Sequence, residues 1–202
     1  MLEPVNTVLK GVERLGLQAG DRVWVAGLGP VGLMFTRVLA LAGVEVVGSD
    51  LLKERMQLAR ALGAVEVVDA SSGRFREQLL DWARGGFDAV VLAVPVDQLV
   101  GQAMEAVRGG GRVLLFAHTQ LGAAVSVDLG GVCALEKDLI GSYSSDFTLQ
   151  EKSAELVFSR RLDVRALISH RFGLESAVDA IRTASKPGAE TLKVIVTAGG
   201  EE

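Results

Sequence analysis

The chain has one cysteine, Cys133, among 202 residues, so it can close no internal disulfide and form no paired-cysteine zinc motif. That usage fits a reducing, cytoplasmic setting. The two histidines, His118 and His170, lie far apart in sequence, and neither has metal-like spacing to another ligand. A basic excess is also missing. Lys and Arg number 21 against 25 Asp and Glu, leaving a formal charge of −4, the wrong sign for contacts to a phosphate backbone, and no nucleic-acid partner is expected. Charges interrupt every apolar run before bilayer-spanning length, and Met1-Leu2-Glu3-Pro4 lacks the basic stretch and apolar core of an export signal. The expectation is a soluble, unexported chain with no membrane partner. No internal repeat or low-complexity tract appears, and no Ser-His-Asp arrangement can be inferred.

What is present is core. Apolar residues make up 49% of the chain, enough to bury a substantial interior, and the length suits one domain with an extension. Short, near-continuous apolar runs at 23–26, 44–48, 65–68, 89–94 and 113–116 alternate with helical patterns at 30–42, 53–62, 74–84 and 99–107. Parallel strands covered on both faces and joined by crossover helices have this appearance. Gly43 and Gly63 stand just beyond the first two helices, where a left-handed cap falls. Val8, Leu9, Val12 and Leu15 predict a helix over 6–15 leading into the first strand, and 139–143 offers a sixth strand. Beyond Ser144 the pattern predicts helices at 149–158 and 174–183 and a late strand at 192–197. The fold class is therefore α/β: a Rossmann-type, doubly wound, parallel six-stranded sheet with a C-terminal helical extension. Residues 1–18 form a connecting helix, 19–143 the sheet domain and 144–202 the extension.

The chemistry-bearing motif is Gly27-Leu28-Gly29-Pro30-Val31-Gly32, set between the first strand and the helix beginning near Pro30. A Gly-x-Gly-x-x-Gly string means little alone, but between a strand and a helix it is a dinucleotide-binding turn. Gly27 serves the tight turn, Gly29 lets backbone approach a pyrophosphate, and Gly32 allows close helix–strand packing. The helix N-terminus adds unpaired N–H groups and positive dipole. Asp50 ends the second strand about 20 residues on, where a carboxylate receives the adenosine ribose hydroxyls and repels the 2′-phosphate of NADP. An Asp there also suits a turn or a helix cap before Lys53. Arg55 is near enough to reach the same ribose. The cofactor expected is NAD.

Leu2-Glu3-Pro4, Leu17-Gln18-Ala19-Gly20-Asp21-Arg22-Val23, the glycine turn, Ser49-Asp50, Leu62-Gly63-Ala64 and Gly141-Ser142-Tyr143-Ser144-Ser145 together resemble the zinc-type medium-chain dehydrogenases. The polyol and threonine dehydrogenase branch is most similar. The resemblance covers nearly the whole chain, but in that family an N-terminal domain precedes this region and supplies most catalytic-zinc ligands, the structural-zinc cysteines and much of the substrate pocket. Glu3 matches the position completing, or standing beside, the catalytic zinc site; it also reads as a frayed surface residue. The resemblance brings Thr7 toward the nicotinamide, although a threonine near a helix start is also a cap. Ala93, Val94, Phe116 and Ala117 match contacts to nicotinamide and its ribose, with core packing as the other reading. Ser142, Tyr143 and Ser144 match the loop near the carboxamide, and Lys193 a basic position that reaches the pyrophosphate.

Other site types find less support. The sole tyrosine, Tyr143, has Phe147 four places on, so the Tyr-x-x-x-Lys pair of short-chain dehydrogenases is missing. His118 could touch cofactor or be a loop residue; His170 reads as structural, and Cys133 as a small buried hydrophobe. The resemblance implies oxidation of a secondary alcohol with hydride passing to NAD. Zinc is not expected to be bound by this chain alone, which should bind NAD and turn over little or no alcohol. The rival readings are a non-enzymatic NAD sensor or partner subunit to a separate catalytic domain, and an S-adenosylmethionine-dependent methyltransferase. A homodimer through the edge strand at 139–143 is expected from the resemblance.

Overall fold

The computed structural model describes residues 1–117 and 121–198. His118 lies outside the described residues. In chain order the elements are α1 (Leu2–Leu15), β1 (Arg22–Ala26), α2 (Pro30–Leu41), β2 (Glu45–Asp50), α3 (Lys53–Ala61), β3 (Glu66–Asp69), α4 (Phe75–Trp82) and β4 (Phe87–Leu92). There follow α5 (Gln98–Ala106), β5 (Val107–Leu115), α6 (Leu129–Ala134), β6 (Asp138–Gly141), α7 (Gln150–Phe158), β7 (Ile168–Gly173), α8 (Ala177–Ser185) and β8 (Lys193–Thr197). Six strands form a sheet in the order β3-β2-β1-β4-β5-β6, and every neighbouring pair is parallel. This is the doubly wound Rossmann architecture expected from the alternation.

Strand burial explains the apolar runs. Val23 and Val25 of β1 face one apolar cluster with α1, α2 and α3, while Trp24 and Ala26 face a second cluster with α4 and α5. Both faces are covered, so alternation of polar with apolar residues disappears. The order reverses between β1 and β4, whose chains leave toward opposite faces of the sheet. A crevice opens at the carboxyl ends of those two strands, the place where open α/β sheets hold ligands.

Besides an added helix, α6, and a sixth strand that ends at Gly141 instead of Tyr143, the structure departs from the sequence pattern in three places. First, β4 starts at Phe87 and stops at Leu92, so Ala93 and Val94 lie just past the strand end; Ala93 N–H still donates to the Ala26 carbonyl at 2.9 Å. Second, β5 starts at Val107, six residues before its apolar run, because Phe87 pairs with Val107 across a register shift that absorbs the glycines. Third, the extension holds a two-stranded parallel sheet of β7 and β8 besides its helices. Its strand β7 escapes sequence reading because Ser169, His170 and Arg171 are polar residues on a half-exposed ribbon.

Helix α1 is tied to the chain beyond β6 by Asn6, which is fully buried. Its amide donates to the Asp146 carbonyl at 2.8 Å, and its oxygen accepts from the Asp146 N–H at 2.7 Å. Replacing Asn6 with leucine leaves two backbone groups unpaired, and stability should fall by about 2–3 kcal/mol. A urea midpoint unchanged in Asn6→Leu would contradict this role for the bridge.

Candidate cofactor-binding site

The site begins where β1 gives out. Gly27 has φ +89°, a conformation side-chain-bearing residues avoid, and a Cβ there would stand 2.8 Å from Val94 Cβ. Its N–H donates to the Ser49 carbonyl at 2.9 Å, continuing the ladder to β2 for one more residue. Gly32 is needed for a different reason. A Cβ on it would lie 1.8 Å from the Gly27 carbonyl oxygen, so the first turn of α2 sits directly on the glycine turn. Pro30 occupies the first helical turn without costing a hydrogen bond, since that N–H would be unpaired anyway.

Gly29 is the open member. Its backbone is extended, at φ −64° and ψ −176°, so no conformational strain calls for glycine. A Cβ on it would meet only Arg55 Nη1, at 4.0 Å. That face is clear for a ligand to approach the main chain, beside the orphan N–H groups of the α2 N-terminus. Val31, on the first turn, is half-buried, and Leu28 is fully buried beneath the turn.

Asp50 holds these pieces together. It is only 8% exposed, and its Oδ2 accepts the Leu28 N–H at 2.7 Å while Oδ1 accepts the Leu52 N–H at 3.0 Å. The carboxylate thus clamps the glycine turn and the segment leading into α3. Arg55 Nη1 stands 3.8 Å from Oδ2. Arg55 Nη2 donates to the Thr191 carbonyl at 3.2 Å, and its Nε is buried without a partner. An unpaired buried guanidinium N–H next to an open backbone face suits an anionic or hydroxyl-bearing ligand. Asp69, beside the cleft at the end of β3, is held below its ordinary carboxylate value by the Ser71 hydroxyl first and the Ser71 N–H second.

A mostly apolar cleft of about 490 Å³ opens from Gly27 and Asp50 across the crevice to Val94, with Phe75 and Leu99 on its walls. The second cavity, about 650 Å³, collects Phe116, Ala117, Ser142 and Tyr143 with Lys10 and Arg14. Phe116 meets Phe35 edge-on at 4.8 Å and is half-buried, so it both packs against the core and lines this cavity. Ser142 is buried with its hydroxyl unpartnered, and the exposed Tyr143 accepts Lys10 Nζ at its carbonyl, 3.0 Å away.

Other sequence candidates lie elsewhere or act differently. Lys193 is in β8 and lines neither cavity; it is Thr191, two residues earlier, that reaches Arg55. Thr7 is inside α1, not capping it, and its hydroxyl donates to the Glu3 carbonyl at 2.9 Å and to Glu3 Oε1 at 3.0 Å. His170 lies on β7 with Nδ1 2.8 Å from Ser169 Oγ. Cys133 is exposed on α6 and not the buried hydrophobe its residue type favours. Among the described residues no three His, Cys, Asp or Glu side chains gather to hold a metal, and Glu3 stands as a single carboxylate. These residues do not compose a zinc site. Phe75 and Gln102 of the cleft were missed by sequence reading, since on their helices they signal only amphipathic surface.

Comparison with known proteins agrees with this geometry. The family model for zinc-binding dehydrogenases matches residues 30–159. A dinucleotide-type turn on a doubly wound sheet thus defines the class, and the chain belongs to the zinc-binding dehydrogenase family. It is 29% identical to L-arabinitol 4-dehydrogenase of Talaromyces emersonii across its whole length, covering 55% of that protein. A Sinorhizobium meliloti 1021 protein named as a zinc-binding dehydrogenase, solved bound to NADP, superposes with a TM-score of 0.89 at 29% identity, over 96% of this chain and 57% of that one. An alcohol dehydrogenase from E. coli CFT073, complexed with NADH, shares the fold with a TM-score of 0.88 at 21% identity, over 98% of this chain and 58% of that one. The chain spans just over half the length of the relatives it matches.

Because a Cβ at position 32 collides with main chain, Gly32→Ala should cost about 1–3 kcal/mol or more and distort the turn. Thermal melting should show a clearly lowered midpoint; a wild-type melt would mean the turn does not depend on this contact.

Proposed function

We propose that this chain is the NAD-binding portion of an alcohol or polyol dehydrogenase-like oxidoreductase, and that alone it binds cofactor but turns over little or no alcohol. The observation that carries the reading is the buried Asp50 carboxylate beside the open backbone of Gly29. The pyrophosphate would meet the α2 N-terminus and the Gly29 main chain, and the adenosine ribose would meet Asp50 and Arg55. Each carboxylate oxygen spends one acceptor site on backbone and keeps another for a hydroxyl. Nicotinamide would lie toward Ala93, Phe116, Ala117 and the Ser142-Tyr143 loop, with the Ser142 hydroxyl free to bond its carboxamide. When bound, NAD supplies the hydride acceptor.

Asp50 favours NAD over NADP, since a 2′-phosphate would be brought against a buried negative charge. The single nearby arginine is itself drawn to that carboxylate. Solved relatives hold NADP or NADH, so the preference is specific to each site. Catalysis needs a metal site or proton relay, and among the described residues Glu3 alone matches a family zinc-site position. The remaining ligands would come from a catalytic domain such as the family's N-terminal one, against which the 144–202 extension would pack. Leu174, Val178 and Ile181 form an exposed apolar row there, each at least 60% accessible. At the other end, β6 has an unpaired edge with Leu139 exposed, and antiparallel pairing of two such edges would make a homodimer. A cytoplasmic location accords with this chemistry.

Titration calorimetry tests the reading directly. The chain should bind NAD, with NADP at least tenfold weaker; equal affinity for the two would refute the role given to Asp50. Asp50→Asn should weaken NAD by roughly 10–100-fold, as loss of a charge-assisted hydrogen bond of about 1.5–3 kcal/mol implies. Separately, light scattering should give a dimer mass, and a monomer at working concentration would remove the proposed edge pairing.

A further inference from the structure

Within the cleft beside Gly27, the polar side chains differ in what they have left to offer. Ser49 Oγ accepts the indole N–H of Trp24 at 2.9 Å. Asp50 holds the backbone of Leu28 and Leu52, and Arg55 reaches Thr191. Gln102, projecting from α5 into the same lining, has no hydrogen-bond partner among the described residues. The rest of that wall is apolar, with Phe75, Val96 and Leu99 around it.

Taking the dinucleotide reading above as its premise, we propose that Gln102 is a specificity residue that recognises the adenine base. The apolar walls accept the faces of a flat aromatic ring, which any purine or pyrimidine could fill. A primary amide at the rim adds a pattern. It offers one acceptor and two donors, and adenine presents the 6-amino donor next to a ring-nitrogen acceptor on either edge. The amide carbonyl accepts from the 6-amino group while the amide N–H donates to the neighbouring ring nitrogen, the same complementarity by which glutamine reads adenine in nucleic acids. Placing the base here puts it in the cleft that Asp50 also lines, and Gln102 is not among the residues around the Ser142 cavity. Gln102 touches the bound cofactor at a distance from the reacting carbon, so it sets which dinucleotide binds and not how hydride moves.

The test pairs a variant with a ligand change. Binding of NAD and of its analogue with purine in place of adenine, hydrogen replacing the 6-amino group, is measured by calorimetry for the unsubstituted chain and for Gln102→Leu. Gln102 is exposed and makes no internal bond, so the variant should fold, and a matching melting temperature checks it. The unsubstituted chain should bind NAD about tenfold more tightly than the analogue, the effect of one or two hydrogen bonds. Gln102→Leu should bind both with the same, weaker affinity. Discrimination that persists in Gln102→Leu, or that is missing while NAD still binds the unsubstituted chain, overturns the proposal. Failure of the unsubstituted chain to bind NAD at all overturns the dinucleotide reading beneath it.

Discussion

The hydrogen bond from the Leu28 N–H to the Asp50 carboxylate, 2.7 Å long and nearly sealed from water, is the contact on which the rest of the site depends. It ties the middle of the glycine turn to the end of the neighbouring strand. Without it Leu28 would keep a buried N–H unpaired, at a cost of about 1–3 kcal/mol, and only the Gly27 N–H bond to the Ser49 carbonyl, at the start of the turn, would tie it to β2. Gly27 and Gly32 act within that frame. The first gives the chain a turn that no side chain tolerates, and the second lets α2 rest on the resulting carbonyl. The first-turn N–H groups of α2 have no intrahelical partner, which is the condition for receiving an anion.

Sheet topology determines where this device opens. Because the order reverses between β1 and β4, their following segments part and open a crevice, with Val94 packed against Gly27. Had the two strands been joined by a crossover on one face, a helix would fill that space. Asp50, at the end of β2, falls on one side of the crevice, while Phe116 and Ser142, past β5 and β6, fall on the other. On the reading proposed above, the strand ends would sort contacts along an extended ligand, the adenosine end beside β2 and the nicotinamide end beside β5 and β6.

Legibility followed the same physical division. The inner parallel strands could be read from apolar runs because burial on both faces demands them, the exposed edge strand β6 only from a short apolar stretch, and the glycine turn because its spacing reflects backbone geometry. Asp50 was visible through its distance from Gly32, yet its clamp on Leu28 was hidden, since no residue pattern reports which N–H a carboxylate accepts. The ribbon strand β7 was hidden too, being half-exposed and polar. Phe75 and Gln102 stayed out of view because amphipathic helices carry such residues routinely and only tertiary placement turns them toward the cleft. Cys133 shows the reverse error: residue type favours burial, but α6 is a short helix without a buried face.

The clamp also fixes an electrostatic arrangement. A buried carboxylate beside a phosphate-binding turn is unfavourable for phosphates unless other charges offset it, and here the offset has three sources. The α2 dipole presents its positive end, the Leu28 and Leu52 N–H groups neutralise part of the carboxylate, and Arg55 stands between Asp50 and Gly29. Under the proposed dinucleotide reading this balance would leave room for a pyrophosphate over the main chain, while a further dianion at the ribose would meet Asp50 directly, with the Leu28 and Leu52 N–H groups already committed. Turn integrity rests on this side chain, and on the reading proposed above cofactor choice would rest on it too. On that reading a change of cofactor would first have to replace the structural half of what Asp50 does, so substitution at position 50 alone would remove NAD binding more readily than create NADP binding.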